Sequence, residues 1–218
     1  MNLRIVSWNV RGLNELDKQL QVRNLIRNWK ADIVCLQETE LELINRGVIC
    51  SLWGGQHVDW LYLDFVGASS GVLLMWDNRV VDKVEEAVGC FSISCKFKNV
   101  VDHFVWAFIG VYGPNCDRDR CFLREELSGI CSWWDVPWYV GGDFNVVRFP
   151  FEHSGSANFT TTMHWFSAFI SEQSPIDLPL VGGNFTWSNS REVASRSRLD
   201  RFLLSVDWEE KFPSVCQR

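Results

Sequence analysis

Short apolar runs alternate along this chain of 218 residues with segments in which apolar residues recur at helical spacing. Runs rich in β-branched and aromatic residues predict buried strands, whereas apolar residues three or four positions apart predict helices with one buried face. The predicted strands are 3–10, 32–36, 60–63, 70–76, 91–97, 104–112, 138–140 and 197–204, and the predicted helices are 17–29, 117–134, a segment around 163–170 and a short turn at 208–212. Apart from its strand, the segment 41–65 shows no clear period. The succession of strands and helices predicts an α/β protein.

Length and composition fit one globular domain. Hydrophobic residues make up 47% of the chain and charged residues 22%, which is ordinary for a folded domain. No run of eighteen apolar residues occurs, so we expect no membrane association, and the N-terminus lacks the layout of a signal peptide. The eight cysteines include no Cys-x-x-Cys pair, which disfavours structural zinc and favours reduced thiols. We therefore expect an intracellular protein, nuclear or cytoplasmic, that is not secreted.

The segment 138–148, Trp-Tyr-Val-Gly-Gly-Asp-Phe-Asn-Val-Val-Arg, is the most informative stretch of the sequence. Gly141 and Gly142 remove two side chains where the strand ends, so that another group can approach the backbone closely. Asp143 and Asn145 are two positions apart and are expected on the same side of an extended chain. A carboxylate beside an amide can hold a water molecule and direct it at an electrophile. The alternative is a polar turn, which favours the same residue types.

Four further polar residues stand at or beside other apolar runs: Asn9, Glu38, Tyr112 and Asp200. Isolated acids at strand ends are costly to bury unless they are paired or bind a metal, which predicts that these side chains converge. Oxygen ligands favour Mg²⁺, with Mn²⁺ as an alternative. The net charge of −6 argues mildly against nucleic acid, but a metal supplies positive charge locally. Asn9 could also be a turn residue, Tyr112 a core aromatic residue, and Asp200 the salt-bridge partner of a nearby arginine.

Five short motifs give these residues a shared context: Ser7-Trp8-Asn9, Gln37-Glu38-Thr39, Tyr112-Gly113-Pro114-Asn115, Gly142-Asp143-Phe144-Asn145 and Arg198-Leu199-Asp200. Their order resembles that of the endonuclease/exonuclease/phosphatase superfamily. The resemblance implies a DNase I-like four-layered α/β sandwich, in which two packed mixed β-sheets are flanked by helices. Through the stretches 8–13, 182–188, 197–203 and 207–213, the chain looks most like the apurinic-type endonuclease domain of plant LINE (non-LTR) retrotransposons.

The resemblance also implies roles in the Mg²⁺-dependent hydrolysis of a DNA phosphodiester. Glu38 would hold the metal, with Asn9 as its polar neighbour. Asp143 would orient or deprotonate the attacking water, and Asn145 would fix its position. Tyr112 would donate a hydrogen bond to the phosphate as charge develops there. The residues that the resemblance places near the DNA backbone are Asn115, Thr186, Ser197 and Arg198.

The sequence departs from the family pattern in two ways. Arg11 stands where apurinic-site repair enzymes carry an aspartate, which favours the retrotransposon branch. Asp200 would orient a histidine, but the family's final strand carrying Ser-Asp-His is not found, and none of the histidines at 57, 103, 153 and 164 lies in such a setting. We therefore expect a truncated domain that lacks the last strand. Its metal site would be largely present and its cleavage weak or absent.

Three functions remain open at this point. The first is a DNA-nicking endonuclease that leaves a 3′ hydroxyl for a reverse transcriptase encoded elsewhere. The second is a phosphatase of the same fold that acts on a phosphoinositide or another small phosphoester, since fold alone does not fix the substrate. The third is a catalytically inactive relic domain with weak DNA binding. Arginines at 191, 196, 198 and 201 could form a phosphate-binding track or a solvated edge.

Overall fold

Two mixed β-sheets form the centre of the computed structural model, which describes residues 3–41, 44–64, 71–155, 158–189 and 194–218. The first sheet has the order β1-β2-β4-β3 and consists of β1 (Ile5–Asn9), β2 (Ile33–Gln37), β3 (Asp59–Leu63) and β4 (Val72–Trp76). The second has the order β5-β6-β7-β8-β12-β9 and consists of β5 (Val81–Val88), β6 (Ser92–Asn99), β7 (Val105–Tyr112), β8 (Trp138–Asp143), β9 (Ile176–Asp177) and β12 (Asp200–Leu204). A separate ribbon pairs β10 (Trp187–Ser188) with β11 (Arg196–Ser197). In each sheet one pair is parallel, β1 with β2 and β7 with β8.

Strand β2 illustrates why the sheets and helices stack in layers. All five of its residues are buried. Ile33 and Cys35 belong to the core between the two sheets, whereas Val34 and Leu36 belong to a second core on the opposite face of the first sheet. Because successive side chains of a strand point to opposite faces, a strand that is buried throughout must be covered on both sides.

The helices supply the two outer layers. They are α1 (Leu16–Trp29), α2 (Arg46–Trp53), α3 (Asp117–Trp133) and α4 (Thr161–Gln173). The short helix α5 (Val206–Lys211) instead places Trp208 in the core between the sheets. Helices α1 and α2 cover the first sheet through residues such as Val22 and Ile49, and α3 and α4 cover the second through residues such as Leu127 and Phe169. The predicted four-layered sandwich is therefore confirmed. Among the described segments, no helix combines the length and the apolar character that crossing a bilayer requires.

The predicted elements are found, together with several that the sequence pattern did not reveal. Strand β5 was not predicted because only Val81 of its eight residues is buried, so it has no apolar alternation. Helix α2 lies in the segment without a clear period, and β9 and a 3₁₀ helix at Pro150–Glu152 are very short. The predicted strand 197–204 is interrupted before Asp200. The start of the predicted strand 70–76 lies outside the described residues. All eight cysteines are free thiols.

Candidate active site

Tyr112, Asp143 and Asp200 form a row across three adjacent strands of the second sheet. Tyr112 ends β7 and is in register with Asp143, the last residue of β8. Asp143 is in turn in register with Asp200, the first residue of β12. Because β12 runs antiparallel to β8, its beginning lies at the same sheet edge as the ends of β7 and β8. The pairing therefore places one phenol and two carboxyl groups side by side.

Two residues of the first sheet complete this arrangement. Asn9 ends β1, and its Nδ2 donates to Glu38 Oε1 at 2.7 Å and to Asp143 Oδ2 at 3.1 Å. The hydroxyl of Tyr112 donates to the same oxygen of Glu38 at 2.8 Å. These bonds join the ends of both sheets, so that Glu38, Asp143 and Asp200 gather at one rim of the sandwich. We call these three residues the carboxylate cluster.

Asn145 reaches the carboxylate cluster through a turn, so the extended backbone expected from Asp143 to Asn145 is wrong. The φ angle of Asn145 is 49°, in the left-handed region, and its N–H donates to Asp143 Oδ1 at 2.9 Å. Its side-chain amide donates to the carbonyl of Gly113 at 2.7 Å. Glu38 and Arg11 have φ angles of 51°. Such strained backbone at residues other than glycine is common around functional sites, where surrounding contacts hold it in place.

Gly142, which precedes Asp143, and Gly113 admit the protein's own backbone, whereas Gly141 makes room for the ring of Phe202. A Cβ atom on Gly142 would lie 2.0 Å from the carbonyl oxygen of Val111, and a Cβ on Gly113 would lie 2.2 Å from that of Phe144. Neither neighbour can give way, because both are main-chain atoms. The close approach predicted at Gly142 is therefore confirmed, and the group that approaches is the neighbouring strand β7.

The two aspartates of the row hold their protons unusually tightly. Burial, with a contribution from the negative charge of Asp143, raises the pKa of Asp200 to about 7. Burial also raises the pKa of Asp143, although hydrogen bonds from Asn9 and Asn145 oppose the shift. The positive charge of Arg11 lowers both pKa values without cancelling the rise. The carboxylate cluster thus carries more negative charge than its surroundings neutralise, and a cation would relieve that imbalance.

Arg11 is a residue to which the sequence reasoning assigned no role. Its N–H donates to Asn9 Oδ1 at 3.2 Å, and the next residue, Gly12, donates its N–H to the carbonyl of Glu38 at 2.6 Å. The turn therefore anchors Arg11 beside the carboxylate cluster, where its charge acts on both aspartates. The sequence feature that could have indicated a role for Arg11 is its position between Asn9, a polar residue at a strand end, and Gly12.

Two of the residues expected near the DNA backbone are exposed. Asn115 lies in the turn that follows β7. Thr186 is also exposed, and its Oγ1 accepts hydrogen bonds of 3.0 Å from the N–H groups of Leu199 and Asp200. Thr186 therefore supports the backbone that presents Asp200, whatever else it contacts.

The other two residues expected at the DNA backbone have partners within the protein, and their role at DNA stays a prediction. Ser197 is 5% exposed, and its Oγ lies 2.7 Å from Nδ1 of His153. The guanidinium of Arg198 donates to Asp177 Oδ1 at 3.0 Å and pairs with Glu152 Oε1 at 3.4 Å. Both side chains are thus engaged in contacts within the protein.

A buried ion network accounts for the arginines near Asp200. Its members are Glu152, Asp177, Arg148, Arg198 and Arg201. Arg201 is 1% exposed and pairs with both acids of the network. Within the described part of the chain, neither Arg198 nor Arg201 pairs with Asp200, so the salt-bridge interpretation of Asp200 is wrong. Arg196 is exposed, and residue 191 lies outside the described ranges.

Two of the four histidines have partners other than Asp200. His153 contacts Ser197, and the ring of His164 lies 5.2 Å from that of Phe159. No hydrogen bond joins a histidine to Asp200 in the residues that the structure describes. Its backbone carbonyl instead accepts from Gln217 Nε2 at 3.3 Å. The histidine partner implied by the resemblance stays a prediction.

The chemistry of the cluster fits a hard cation held by few protein ligands. Among the described residues, no group of three or more His, Cys, Asp or Glu side chains is arranged to enclose a metal ion. Glu38 accepts both of its hydrogen bonds through Oε1, so Oε2 is the oxygen that can take a cation. Asn9 Oδ1 accepts one bond and has a second lone pair. One carboxylate, one amide oxygen and several waters is a typical environment for Mg²⁺.

Comparison with known proteins identifies relatives of the whole chain. The sequence model of the Endonuclease/Exonuclease/phosphatase family matches residues 6–216. An exodeoxyribonuclease of Bacillus subtilis (strain 168) is 24% identical over 239 residues, which cover 96% of this chain and 90% of the relative. The match includes every residue of the carboxylate cluster.

Solved structures show the same fold at lower sequence identity. The endonuclease domain of TRAS1, a telomere-specific non-LTR retrotransposon, superposes with a TM-score of 0.71 at 11% identity, covering 96% of this chain and 88% of that domain. The mannosyl-6-phosphatase Bt3783 of Bacteroides thetaiotaomicron VPI-5482 superposes with a TM-score of 0.63 at 16% identity, covering 94% and 86%. A nuclease and a phosphatase therefore share this fold.

Proposed function

Since the chain belongs to the endonuclease/exonuclease/phosphatase family, we propose that it is a Mg²⁺-dependent phosphodiester hydrolase that nicks DNA, as expected of a LINE-type endonuclease. The observation that carries this proposal is the amide of Asn9, which bonds Glu38 and Asp143 at once. The Asn9 amide thus holds a candidate metal ligand, Glu38, close to a candidate base, Asp143. DNA-processing relatives support DNA as the substrate.

In this proposal water attacks the phosphorus in line with the P–O3′ bond, which breaks to leave a 3′ hydroxyl and a 5′ phosphate. Asp143 accepts the proton of the water, and the N–H of Asn145 keeps that carboxylate in place. The hydroxyl of Tyr112 turns from Glu38 towards a phosphate oxygen. Glu38 and Asn9 would hold the Mg²⁺ ion, which would supply positive charge to the oxygens on which negative charge develops.

Slow turnover is part of the proposal. The described residues hold no histidine beside Asp200, so the transition state lacks one charge-stabilising donor. The loss of a single donor of this kind costs roughly 10²- to 10³-fold in rate. With a pKa of about 7, Asp200 is largely protonated below neutral pH and about half protonated at pH 7, which limits its repulsion with the carboxylate of Asp143.

A nicking assay on supercoiled plasmid tests this function. We expect relaxation in the presence of Mg²⁺ and none in EDTA. Glu38→Gln should abolish it, whereas Asp82→Asn, which removes an exposed carboxylate of β5, should leave it unchanged. Nicked product that a reverse transcriptase can extend directly would support a 3′ hydroxyl and a partner encoded elsewhere.

The same preparation distinguishes the two other functions. Release of phosphate from an inositol phosphate, without plasmid nicking, would indicate that the protein is a phosphatase and not an endonuclease. The likeness in fold to a mannosyl-6-phosphatase is the reason to test this alternative. If neither substrate is turned over, at protein concentrations high enough to detect a rate reduced 10³-fold, the protein is a catalytically inactive relic domain. Mn²⁺ in place of Mg²⁺ tests whether another hard cation serves.

A further inference from the structure

A cavity of about 360 Å³ lies between helices α3 and α4, outside the carboxylate cluster. Its floor is apolar. Leu123, Leu127, Phe144 and Phe169 line it, and each is less than 8% exposed to solvent. The volume falls within the range of pockets that bind small organic molecules.

The mouth of the cavity carries an excess of positive charge. Arg118, Arg120 and Arg124 line it, against one acid, Asp117, which pairs with Arg120. The guanidinium of Arg124 lies 5.8 Å from the ring centre of Trp165. Two positive charges thus exceed the negative charge at the mouth, although the whole chain has a net charge of −6. Local charge of this sign favours an anionic ligand.

Arg120 adds a polar group that lacks a partner. Its Nε is buried and has no hydrogen-bond partner in the described structure, whereas its Nη2 donates to the carbonyl of Asn145 at 2.9 Å. A buried donor without an acceptor is costly, so an acceptor on a ligand would gain free energy there. The same guanidinium links the cavity to the turn that holds Asp143.

We propose that the α3/α4 cavity binds a small organic anion with a flat apolar body, such as an aromatic carboxylate or sulfonate. The apolar body fills the floor and is removed from water, which drives binding. The anionic group lies at the mouth, among the three arginines. This site is independent of the proposed hydrolysis, because none of its residues belongs to the carboxylate cluster.

Two fluorescent probes that differ in charge test the proposal. The anionic probe is 8-anilinonaphthalene-1-sulfonate, and the neutral one is N-phenyl-1-naphthylamine. The double variant Arg118→Gln/Arg124→Gln should weaken binding of the sulfonate roughly 10-fold, since it removes two of the three positive charges at the mouth. The neutral probe should change less than about 2-fold, because it makes no ion pair.

A variant that fills the cavity locates the site. Cys121 is exposed and lines the cavity, so Cys121→Trp should abolish binding of both probes. Phe122→Trp adds bulk at the next position of α3, outside the cavity lining, and should leave both affinities unchanged. Unchanged thermal midpoints would show that all variants are folded.

Two results would overturn the proposal. Sulfonate binding that survives Cys121→Trp would place the probe elsewhere, for example on an exposed aromatic side chain. Equal weakening of both probes by the arginine substitutions would show that charge does not select the ligand. As an independent measurement, the backbone amide resonance of Asn145 should shift on addition of the sulfonate, because Arg120 joins its carbonyl to the cavity.

Discussion

Neighbouring residues of strand β12 belong to two clusters with opposite electrostatics. Asp200 lies in the carboxylate cluster, whereas Arg201 enters the buried ion network. Successive side chains of a strand point to opposite faces, so one strand can serve both. In the ion network three arginines surround two acids. In the carboxylate cluster the single guanidinium of Arg11 acts on two aspartates.

The pKa values show what this difference means. Burial on its own would raise the pKa of Glu152 in the ion network, but hydrogen bonds and charge from Arg201 outweigh it, and the pKa is lowered. Burial and the negative charge of Asp143 together raise the pKa of Asp200 to about 7. Ionisation of Glu152 therefore stabilises the fold in the ion network, whereas ionisation of Asp200 destabilises it in the carboxylate cluster. Such a cost is expected where a site is built to receive a ligand.

The largest difference between the clusters should appear in catalysis. Asp143→Asn removes the proposed base and should lower Mg²⁺-dependent nicking by roughly 10³-fold or more, while the free energy of unfolding stays the same or rises. Plasmid nicking and urea denaturation measure the two effects. As a matched change in the ion network, Glu152→Gln should lower stability and leave the rate per folded molecule unchanged. Retained nicking by Asp143→Asn would remove Asp143 from the mechanism.

The second largest effect should be the loss of Arg201. Its side chain is fully buried and pairs with Glu152 and Asp177. Arg201→Met therefore leaves these two acids with less positive charge to balance their negative charge. Breaking a buried pair costs about 3 to 5 kcal/mol, which urea denaturation can measure. Arg46→Met removes an exposed arginine whose partner, Asp59, is also exposed, and should leave the urea midpoint unchanged. Equal effects of the two substitutions would show that the ion network contributes no more than a surface pair.

A smaller effect, of opposite sign, should come from Asp200. Between about pH 4 and 7 the folded protein holds a proton on Asp200 that the unfolded chain releases, so stability falls as the pH rises through this window. Asparagine cannot titrate. At pH 8 in EDTA, Asp200→Asn should raise the free energy of unfolding by roughly 2 kcal/mol, about half of the full shift because Asp143 shares the interaction.

Urea denaturation of both proteins across the pH range is the measurement. At pH 4 the two stabilities should coincide, because Asp200 is protonated in the folded state and partly protonated in the unfolded state. A stability difference that does not change with pH would contradict the raised pKa.

The two clusters also differ in how far the sequence predicts them. Each residue of the carboxylate cluster stands beside an apolar run, so strand prediction places it at a sheet edge. The order of the motifs along the chain, which resembles that of the family, then indicates that these residues form one site. The ion network has no such signal. Glu152 and Asp177 lie in very short elements, and their partners come from distant parts of the chain. Only Arg201, a charged residue inside an apolar strand, hinted at a buried partner.

The turn at Asn145 and the inward positions of Ser197 and Arg198 show a second limit. A residue type and its spacing indicate that a position is polar, but the backbone conformation decides where the side chain points. Asn145 joins the site because its φ angle is positive, which the spacing of two did not predict. The resemblance implied that Arg198 lies near a phosphate, yet its guanidinium pairs with Glu152 and Asp177.

The smallest effect should come from Thr186, which supports the carboxylate cluster from outside. Thr186→Val removes the hydroxyl that accepts from the N–H groups of Leu199 and Asp200, and should cost about 1 kcal/mol of stability. Thr186→Ser keeps the acceptor and should restore most of it. If Thr186 only positions Asp200, the free energies of unfolding of Thr186→Val and Thr186→Ser will differ in urea denaturation, whereas their affinities for plasmid DNA will be equal. A loss of DNA affinity confined to Thr186→Val at equal stability would instead place this hydroxyl at the phosphate backbone.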